Sequence, residues 1–404
     1  MREAYIVQAV RTPGCRRGRG AFATTRPEDL LKSALNGLME RTPGVEKKDV
    51  EDILVGCAFP EAEQGLNLGR VIAQIAEFPD DTCGAVVNRF CASGLEAISL
   101  QAMRIMAGMC DVAIGAGCES MSIVPMGGNL PRPHPEQAMK TPDVYCSMGI
   151  TAENVANRYK VTRQMQDDFA FGSQAKAASA QKAGKFTEIV PTTAYRFVEK
   201  GGIMTKEAFL QDFDDGVRPT TMEGLAKLKP AFAAMGSVTA GNSSQTTDGA
   251  AATLVMSGDA VKKFGLKPIA KFKAYVVAGC RADEMGVGPA YAIPKVIKVA
   301  GLGTALDIAK DAIFEVNEAF ASQAIYCLQQ IGLFDPKYYS HESDERIINV
   351  NGGAIALGHP LGCTGAKLCA QLMTEMKARG KKWGIESMCI GGGMGAAALF
   401  ELCD

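Results

Sequence analysis

Short apolar runs alternate with longer helical patterns along this chain of 404 residues. Residues 4–9 (AYIVQA), 112–117 (VAIGAG) and 248–256 (DGAAATLVM) have the composition of strands that are buried on both faces. Residues 91–109 and 164–182 predict helices, and the first of these is apolar around most of its circumference, which is typical of a buried helix. The alternation predicts an α/β protein that is built from βαβ units with mainly parallel sheets.

Two parts of the chain echo each other. Residues 49–59 (DVEDILVGCAF) resemble residues 307–320 (DIAKDAIFEVNEAF). Residues 87–94 (VNRFCASG) precede a helix and a glycine-rich strand, as residues 361–365 (LGCTG) precede a helix and then residues 387–395 (SMCIGGGMG). A repeat this long indicates a duplicated domain and not a solenoid. Chance similarity between such short segments is the alternative.

The stretch between the two copies, from about residue 121 to residue 245, has a different character. It opens with several prolines and glycines, and it gathers basic residues near Arg218. We interpret it as an insertion on the first domain that covers a site.

Composition excludes several classes of protein. The chain has 43 Lys and Arg against 44 Asp and Glu, which argues against a broad nucleic-acid footprint. No uncharged apolar run reaches the ~18 residues of a membrane span. Thirteen cysteines without a CxxC pair argue against a zinc ribbon and favour reduced thiols in a cytosol-like compartment. The arginine-rich run at residues 11–26 imitates a transit peptide, but residues 4–9 already predict a strand, so we expect a cytoplasmic protein without a signal or transit peptide.

Cys91 is the first candidate for chemistry, because it lies at the predicted start of a buried helix. Free N–H groups and the positive end of the helix dipole favour a thiolate there and predict a lowered thiol pKa. The alternative is that Cys91 is a small buried apolar residue, which is the commonest role of a free cysteine.

His359 stands apart from the other two histidines. It lies in the uncharged, glycine-rich segment at residues 349–365 (NVNGGAIALGHPLGCTG), whereas His134 and His341 lie in polar stretches. A neutral imidazole is a suitable base near neutral pH, so His359 and Cys91 are a candidate nucleophile–base pair. A histidine that is hydrogen-bonded to a backbone carbonyl is the alternative.

Three further segments carry polar or reactive groups. Residues 389–395 (CIGGGMG) place Cys389 beside glycine N–H groups that could stabilise an oxyanion, and they lack the signatures of dinucleotide and phosphate loops. Asn317 ends a predicted strand, where it could hold a water or form an Asx turn. Residues 239–244 (TAGNSS) could bind a polar ligand tail or form an ordinary loop.

These motifs resemble the thiolase family over residues 4–402. The resemblance is carried by NRFCASG at 88–94, by the segments 349–365 and 389–395, by VNEAF at 316–320 and by TAGN at 239–242. It implies the thiolase fold, in which duplicated βαβαβαββ domains form a five-layered αβαβα core with an inserted loop domain. The implied domains are an N-terminal domain at 1–120 plus 246–268, a loop domain over the coenzyme A site at 121–245, and a C-terminal domain at 269–404.

The resemblance also implies a role for each matched residue. Cys91 resembles the acylated nucleophile, His359 the base that activates it, and Cys389 the second acid/base. Asn317 matches the residue that, through a water and with His359, forms one oxyanion hole, and the N–H groups of Cys91 and Gly391 match the other. The implied contacts for coenzyme A and substrate are Arg218, Ser244, Met148, Met285, Ala319 and Phe320.

The implied activity is reversible thiolysis of 3-oxoacyl-CoA by CoA, in fatty acid β-oxidation. No metal or other cofactor is implied, because CoA is a substrate. NRFCASG differs from the NKVCGSG of biosynthetic relatives and favours the degradative branch over an acetyl-CoA acetyltransferase that handles acetoacetyl-CoA. A CoA- or lipid-binding relative without activity is expected to lose His359 or Cys389, and both are present. Expected partners are a second or further copies of the chain, as a homodimer or homotetramer, and other β-oxidation enzymes.

Overall fold

The computed structural model describes residues 2–404, which form twelve strands and fourteen α-helices. The strands are β1 (Ala4–Arg11), β2 (Cys15–Arg16), β3 (Asp52–Gly56), β4 (Cys83–Val87), β5 (Val112–Ser120), β6 (Thr192–Lys200), β7 (Ile203–Gln211), β8 (Thr247–Ser257), β9 (Ala270–Gly279), β10 (Ala312–Val316), β11 (Trp383–Ile390) and β12 (Met394–Leu402). The helices are α1 (Pro27–Glu40), α2 (Leu68–Ile75), α3 (Ser93–Met106), α4 (Pro135–Lys140), α5 (Met148–Arg158), α6 (Arg163–Lys182), α7 (Met222–Ala226), α8 (Gly258–Lys263), α9 (Gly288–Val299), α10 (Ala305–Ile308), α11 (Ala321–Gln330), α12 (Pro336–Tyr339), α13 (Ala354–Leu357) and α14 (Thr364–Arg379).

The main sheet consists of two halves with the same topology. The first half has the order β4-β3-β5-β8-β1, with β2 paired to β8, and the second has the order β10-β11-β12-β9. Phe314 of β10 also pairs in parallel with Ile348, in the place where β3 pairs in parallel with β4. A two-residue antiparallel pairing of β1 with β9 joins the halves. The duplication that the sequence predicts is therefore present in the sheet.

The prediction of mainly parallel sheets is wrong. Only β3 with β4, β3 with β5, and β10 with β11 pair in parallel among the named strands of residues 2–404. The strands β8 and β12 each run antiparallel to both neighbours. Strands β11 and β12 are separated by only three residues, a connection too short for a parallel crossover.

Helices cover both faces of each half and give the five layers that the resemblance implies. Helices α3 and α14 lie between the halves, α1 and α2 pack on the outer face of the first half, and α9 packs on the second. The N-terminal turns of α3 and α14 touch at two glycines: a Cβ on Gly94 would lie 2.6 Å from the backbone nitrogen of Ala366, and one on Gly365 would lie 2.2 Å from that of Leu95. Any larger side chain there would push apart the two central helices.

The chain between β5 and β8 leaves the sheet and returns to the neighbouring strand. It contains α4 to α7 and the hairpin of β6 and β7, and α6 packs against α11 and α13 of the second half. We call this segment the excursion. Arg11 of β1 links it to the first half, because the buried guanidinium of Arg11 bonds to Glu188 at 2.9 Å and to Asp214 at 2.7 Å. Within residues 2–404, no helix combines the length and apolar character needed to cross a membrane.

Candidate active site

Cys91 lies in a tight 3-10 turn, Phe90–Ala92, and α3 begins two residues after it, at Ser93. Phe90 has a φ of 42°, which is strained for a bulky side chain. Two hydrogen bonds hold this conformation: the N–H of Phe90 donates to Oδ1 of Asn88 at 2.8 Å, and the Ser93 hydroxyl donates to the Phe90 carbonyl at 2.7 Å. The turn is thus fixed on both sides of the cysteine.

The predicted lowering of the Cys91 pKa is wrong for this structure. The backbone N–H groups of Gly391 and of Cys91 itself face the sulfur and favour the thiolate, but burial outweighs them and raises the pKa of the thiol to about 12. The side chain is only 5% exposed, so a free thiolate would lose most of its hydration. Cys91 is therefore a neutral thiol at rest, and it needs a base at the moment of reaction.

His359 is held as such a base by the hydroxyl of Thr364. The hydroxyl of Thr364 donates to the carbonyl of Pro360 at 3.1 Å, and its oxygen lies 2.5 Å from Nδ1 of His359. Since the single hydroxyl proton is directed to Pro360, Nδ1 carries the hydrogen that bonds to Thr364, and Nε2 is left as an acceptor. Burial, followed by the charge of Lys367, lowers the pKa of His359 to about 3, so the ring is neutral.

The backbone of His359 is anchored to the segment just before β8, and its ring contacts Asn317. The N–H of His359 donates to the Gln245 carbonyl at 2.8 Å, and His359 forms a parallel bridge with Thr246. Nδ2 of Asn317 lies 3.5 Å from Nε2 of His359, which is a long contact. Asn317 follows β10, and its own N–H donates to the Ser387 carbonyl on β11 at 2.9 Å.

Cys389 lies near the end of β11, before the three-glycine turn that leads to β12. Burial raises the pKa of its thiol well above the usual range, and the proximity of Cys91 raises it further. The turn needs glycine at Gly393, where φ is 91° and a Cβ would lie 2.5 Å from the Cys280 carbonyl. The first glycine of the turn, Gly391, directs its N–H at Cys91.

The apolar residues that the resemblance assigns to substrate binding lie together. One cluster contains Ala152, Val238, Met285, Ala319, Phe320 and Cys389, with Met148 packed against it. Ser244 adjoins this cluster, because its N–H donates to the Ala319 carbonyl at 2.9 Å. Arg218 is exposed on a loop outside the cluster. Its backbone N–H donates to Gln174 at 3.3 Å and its carbonyl accepts the Thr220 hydroxyl at 3.1 Å, whereas its guanidinium makes no such bond within residues 2–404.

Thr364 and Glu119 are two site residues that the sequence interpretation missed. Glu119 is fully buried at the end of β5, where its carboxylate accepts the N–H of Ala58 at 2.8 Å and the N–H of Gly362 at 2.7 Å. It thereby ties the turn before α14 to the first half. An acidic residue within an otherwise apolar strand was the available signal, and for Thr364 it was the equivalent position of Ser93 in the other copy.

Family comparisons agree with this geometry. The family model described as "Thiolase, N-terminal domain" matches residues 4–259, and "Thiolase, C-terminal domain" matches residues 266–402. The chain belongs to the thiolase family. The resemblance inferred from the motifs and the fold that it implied are confirmed.

Thiolase relatives match along the whole chain. The "3-ketoacyl-CoA thiolase" of Bacillus subtilis (strain 168) is 48% identical over 407 residues, which cover 100% of both chains. The "3-ketoacyl-CoA thiolase A, peroxisomal" of Mus musculus is 46% identical and covers 99% of this chain and 91% of its own. A solved thiolase-fold structure, the acetyl-CoA acetyltransferase of Bacillus anthracis, superimposes with a TM-score of 0.86 at 35% identity and covers 100% of this chain and 99% of its own.

Proposed function

We propose that this chain is an acyltransferase that cleaves 3-oxoacyl-CoA with CoA to give acetyl-CoA and a shortened acyl-CoA, in fatty acid β-oxidation. The observation that carries the proposal is the environment of Cys91. Two backbone N–H groups converge on one buried sulfur, and a second buried cysteine lies close to it. The names of the Bacillus subtilis and mouse relatives support this substrate class.

The first step is the transfer of an acyl group to Cys91. The thiol of Cys91 gives its proton to Nε2 of His359 as the sulfur attacks the 3-oxo carbon. The N–H groups of Cys91 and Gly391 suit the oxyanion of this adduct, because they already face the sulfur. A pair that is neutral at rest avoids the cost of a buried ion pair until the adduct forms.

The second step breaks the bond between C2 and C3 of the substrate. The electrons of that bond form the enolate of acetyl-CoA, and the thiol of Cys389 protonates its methylene carbon. Oδ1 of Asn317 is buried without a hydrogen-bond partner among residues 2–404. This oxygen can accept one hydrogen of a water molecule, and the other hydrogen of that water is then donated to the enolate oxygen. The thiol of CoA then gives its proton to the Cys389 thiolate as its sulfur attacks the acyl-cysteine. Cys91 leaves as a thiolate and takes back the proton held by His359, and the shortened acyl-CoA is released.

We propose that the excursion at residues 121–245 binds coenzyme A. It is a loop domain inserted into the N-terminal domain, between residues 1–120 and 246–268, and the C-terminal domain spans 269–404. We propose that Ser244, Met148, Met285, Ala319 and Phe320 contact the pantetheine arm and that Arg218 contacts the adenine nucleotide. The cluster that most of these residues share with Cys389 supports the first assignment. CoA acts in this scheme as a substrate, and no metal or other cofactor takes part.

A second candidate function is the formation or cleavage of acetoacetyl-CoA. The similarity to the solved acetyl-CoA acetyltransferase favours it. Both reactions use the same acyl-cysteine chemistry and differ only in the length of the acyl chain.

The test is steady-state thiolysis of a series of 3-oxoacyl-CoA substrates from four carbons upward. The proposed function predicts that kcat/KM is maintained or rises as the chain lengthens, because each buried CH2 adds about 0.8 kcal/mol of binding. A steep fall beyond acetoacetyl-CoA would establish the second candidate. The absence of turnover with every substrate would contradict both.

We further propose that the chain forms a homodimer or homotetramer. Strand β4 lies at the edge of the sheet and is incompletely buried, and unpaired edge strands are common pairing sites. The proline-rich segment at residues 125–135 is a second candidate contact. Light scattering after size-exclusion chromatography gives the mass, and a monomer at micromolar concentration would contradict the proposal.

The remaining proposals concern where the protein lies in the cell and which enzymes it associates with there. We propose a cytoplasmic location, as expected from the sequence, and association with other β-oxidation enzymes. Fractionation of cells that express the chain tests the location, and co-purification from such cells tests the association.

A further inference from the structure

The arginine-rich run at residues 11–26 contains cations that the proposed mechanism does not use. Arg11 is committed to Glu188 and Asp214. By contrast, Arg17 and Arg19 are exposed, and within residues 2–404 their side chains make no hydrogen bond or ion pair. The side chain of Arg218 likewise makes no hydrogen bond or ion pair with any residue that the structure describes.

The loop that carries these arginines is held firmly. Both oxygens of Asp215 accept backbone N–H groups from it, that of Arg16 at 2.8 Å and that of Ala21 at 2.9 Å. The hydroxyl of Ser122 accepts the N–H of Gly18 at 2.8 Å. The loop is therefore preformed, so that its arginine side chains start from fixed backbone positions.

The same carboxylate brings the loop next to Arg218, which lies three residues after Asp215. Partial desolvation of the exposed Arg218 guanidinium, followed by the charges of Arg16 and Arg19, lowers its pKa, which is consistent with these three side chains lying near one another. Asp215 also forms an ion pair with Arg16 at 3.5 Å, which leaves the other three arginines uncompensated. Such a cluster of like charges repels itself unless an anion binds to it.

The cluster lies on the same side of the molecule as the reaction centre. The N–H of Arg17 donates to the Thr246 carbonyl at 3.0 Å, and Thr246 pairs with His359. Two strand spacings of about 4.8 Å each therefore separate the backbone of Arg17 from that of His359. Ser244, which is assigned to the pantetheine arm, lies two residues before Thr246.

We propose that Arg17, Arg19 and Arg218 form a subsite for the phosphate groups at the nucleotide end of coenzyme A. The inference rests on the proposed function. Guanidinium groups match phosphate oxygens in geometry and charge, and they stay protonated at any physiological pH. The resemblance to relatives assigned only Arg218 to the nucleotide. The role of Arg17 and Arg19 follows from their lack of partners and from the loop that holds them.

The experiment compares three attacking thiols: CoA, dephospho-CoA, which lacks the 3′-phosphate, and pantetheine, which lacks the whole nucleotide. Acetoacetyl-pantetheine serves as the fixed acyl donor, so that only the thiol carries phosphate. The Arg17→Gln/Arg19→Gln double variant is compared with Lys298→Gln, which removes one exposed charge from α9. Titration calorimetry of CoA and dephospho-CoA measures binding without turnover.

We expect the double variant to lower kcat/KM for CoA by about tenfold or more, as for the loss of charged hydrogen bonds, and to leave pantetheine unchanged. If the loss is confined to CoA, the arginines bind the 3′-phosphate; if dephospho-CoA loses equally, they bind the diphosphate. An unchanged preference for CoA over pantetheine, together with an unchanged Kd for CoA, overturns the inference. The inference is also overturned if the double variant loses affinity for a polyanion such as heparin but keeps its Kd for CoA. Failure of the wild-type protein to turn over with any thiol would instead contradict the proposed function, and calorimetry would still decide the subsite.

Discussion

The turn before α3 and the turn before α14 are two copies of one local structure that carry different residues. Each is a three-residue 3-10 turn, Phe90–Ala92 or Leu361–Cys363, followed at once by a central helix. When the two copies are aligned at their helix starts, Ser93 and Thr364, Cys91 is equivalent to Gly362 and Asn88 is equivalent to His359. The first copy thus supplies a sulfur, and the second copy supplies an imidazole.

The hydroxyl group at the start of the helix also has a different role in each of the two copies. Ser93 donates to the Phe90 carbonyl and accepts the N–H of Arg89, so it fixes only the backbone of its own turn. Thr364 fixes its turn through Pro360 and also holds the His359 ring. Duplication supplied two equal turns that meet face to face, and divergence of a few side chains turned the pair into a candidate catalytic site.

The largest expected effect comes from removing the sulfur of the first copy. Cys91→Ala should lower thiolysis by about 10^4-fold or more, as for other enzymes that lose a covalent nucleophile. The matched control is Cys363→Ala in the second copy, because Cys363 is equivalent to Ala92; its kcat should stay within about threefold of wild type. Mass spectrometry after incubation with acetyl-CoA should find the acetyl group on Cys91. Acetylation of Cys389 alone would reverse the two roles.

The second cysteine separates the two steps of the reaction. Cys389→Ala should still accumulate acetyl-Cys91 from acetyl-CoA, because His359 can protonate the departing thiolate. It should lose about 10^3-fold in thiolysis of acetoacetyl-CoA, the range expected for a general acid or base. It should also lose deuterium exchange into the acetyl methyl group, which NMR measures. Exchange at the wild-type rate would mean that Cys389 only packs behind the glycine turn.

The pH dependence of Cys91 alkylation tests whether burial or the helix terminus controls the thiol. In His359→Ala, where no base assists the sulfur, a pKa of about 12 means that the fraction of free thiolate rises with pH, so iodoacetamide should react about a hundredfold faster at about pH 8 than at about pH 6. The pKa lowered by the helix dipole, as predicted from the sequence, would give a plateau over this range. His359→Ala should slow the reaction near neutral pH by removing the base. Mass spectrometry would assign the label to Cys91, since other cysteines of the chain are also free.

The hydroxyl of Thr364 is expected to act through His359 and not on substrate. Thr364→Val keeps the shape and removes the acceptor for Nδ1–H, so kcat should fall about tenfold or more while KM changes little. Thr364→Ser should restore most of the rate. In the valine variant the alkylation rate of Cys91 should fall too, which a merely structural role would not cause in a protein that keeps its melting temperature.

The smallest effect is expected outside both turns. Arg218→Ala should raise the KM for CoA several-fold and leave kcat nearly unchanged, because a contact with the distant nucleotide contributes equally to ground and transition states. An exposed arginine without a role in binding would leave KM unchanged as well. Arg132→Ala, another exposed arginine of the excursion, provides the comparison.

The sequence predicted the candidate chemistry better than the arrangement of the strands. Cys91, His359 and Cys389 stand out by residue type and by the glycines around them, and the structure places them in the region where the two halves meet. The parallel sheet was predicted wrongly because local patterning does not show which strand lies next to which. The pattern of residues 91–109 predicts one helix, whereas in the structure Phe90–Ala92 form a separate turn and α3 starts at Ser93.

The amino-acid sequence by itself determined the α/β class, the internal duplication, the reactive side chains and the family, because these depend on residue types and their order. Only the tertiary structure decided the ionisation of those side chains and their partners. The pKa of Cys91 depends on how completely two domain halves exclude water from one sulfur. The hydrogen-bonding state of His359 depends on a hydroxyl that folds back onto it from the next helix. The arginines at 17, 19 and 218 become one charged cluster only because Asp215 joins two loops that lie about 200 residues apart in the chain.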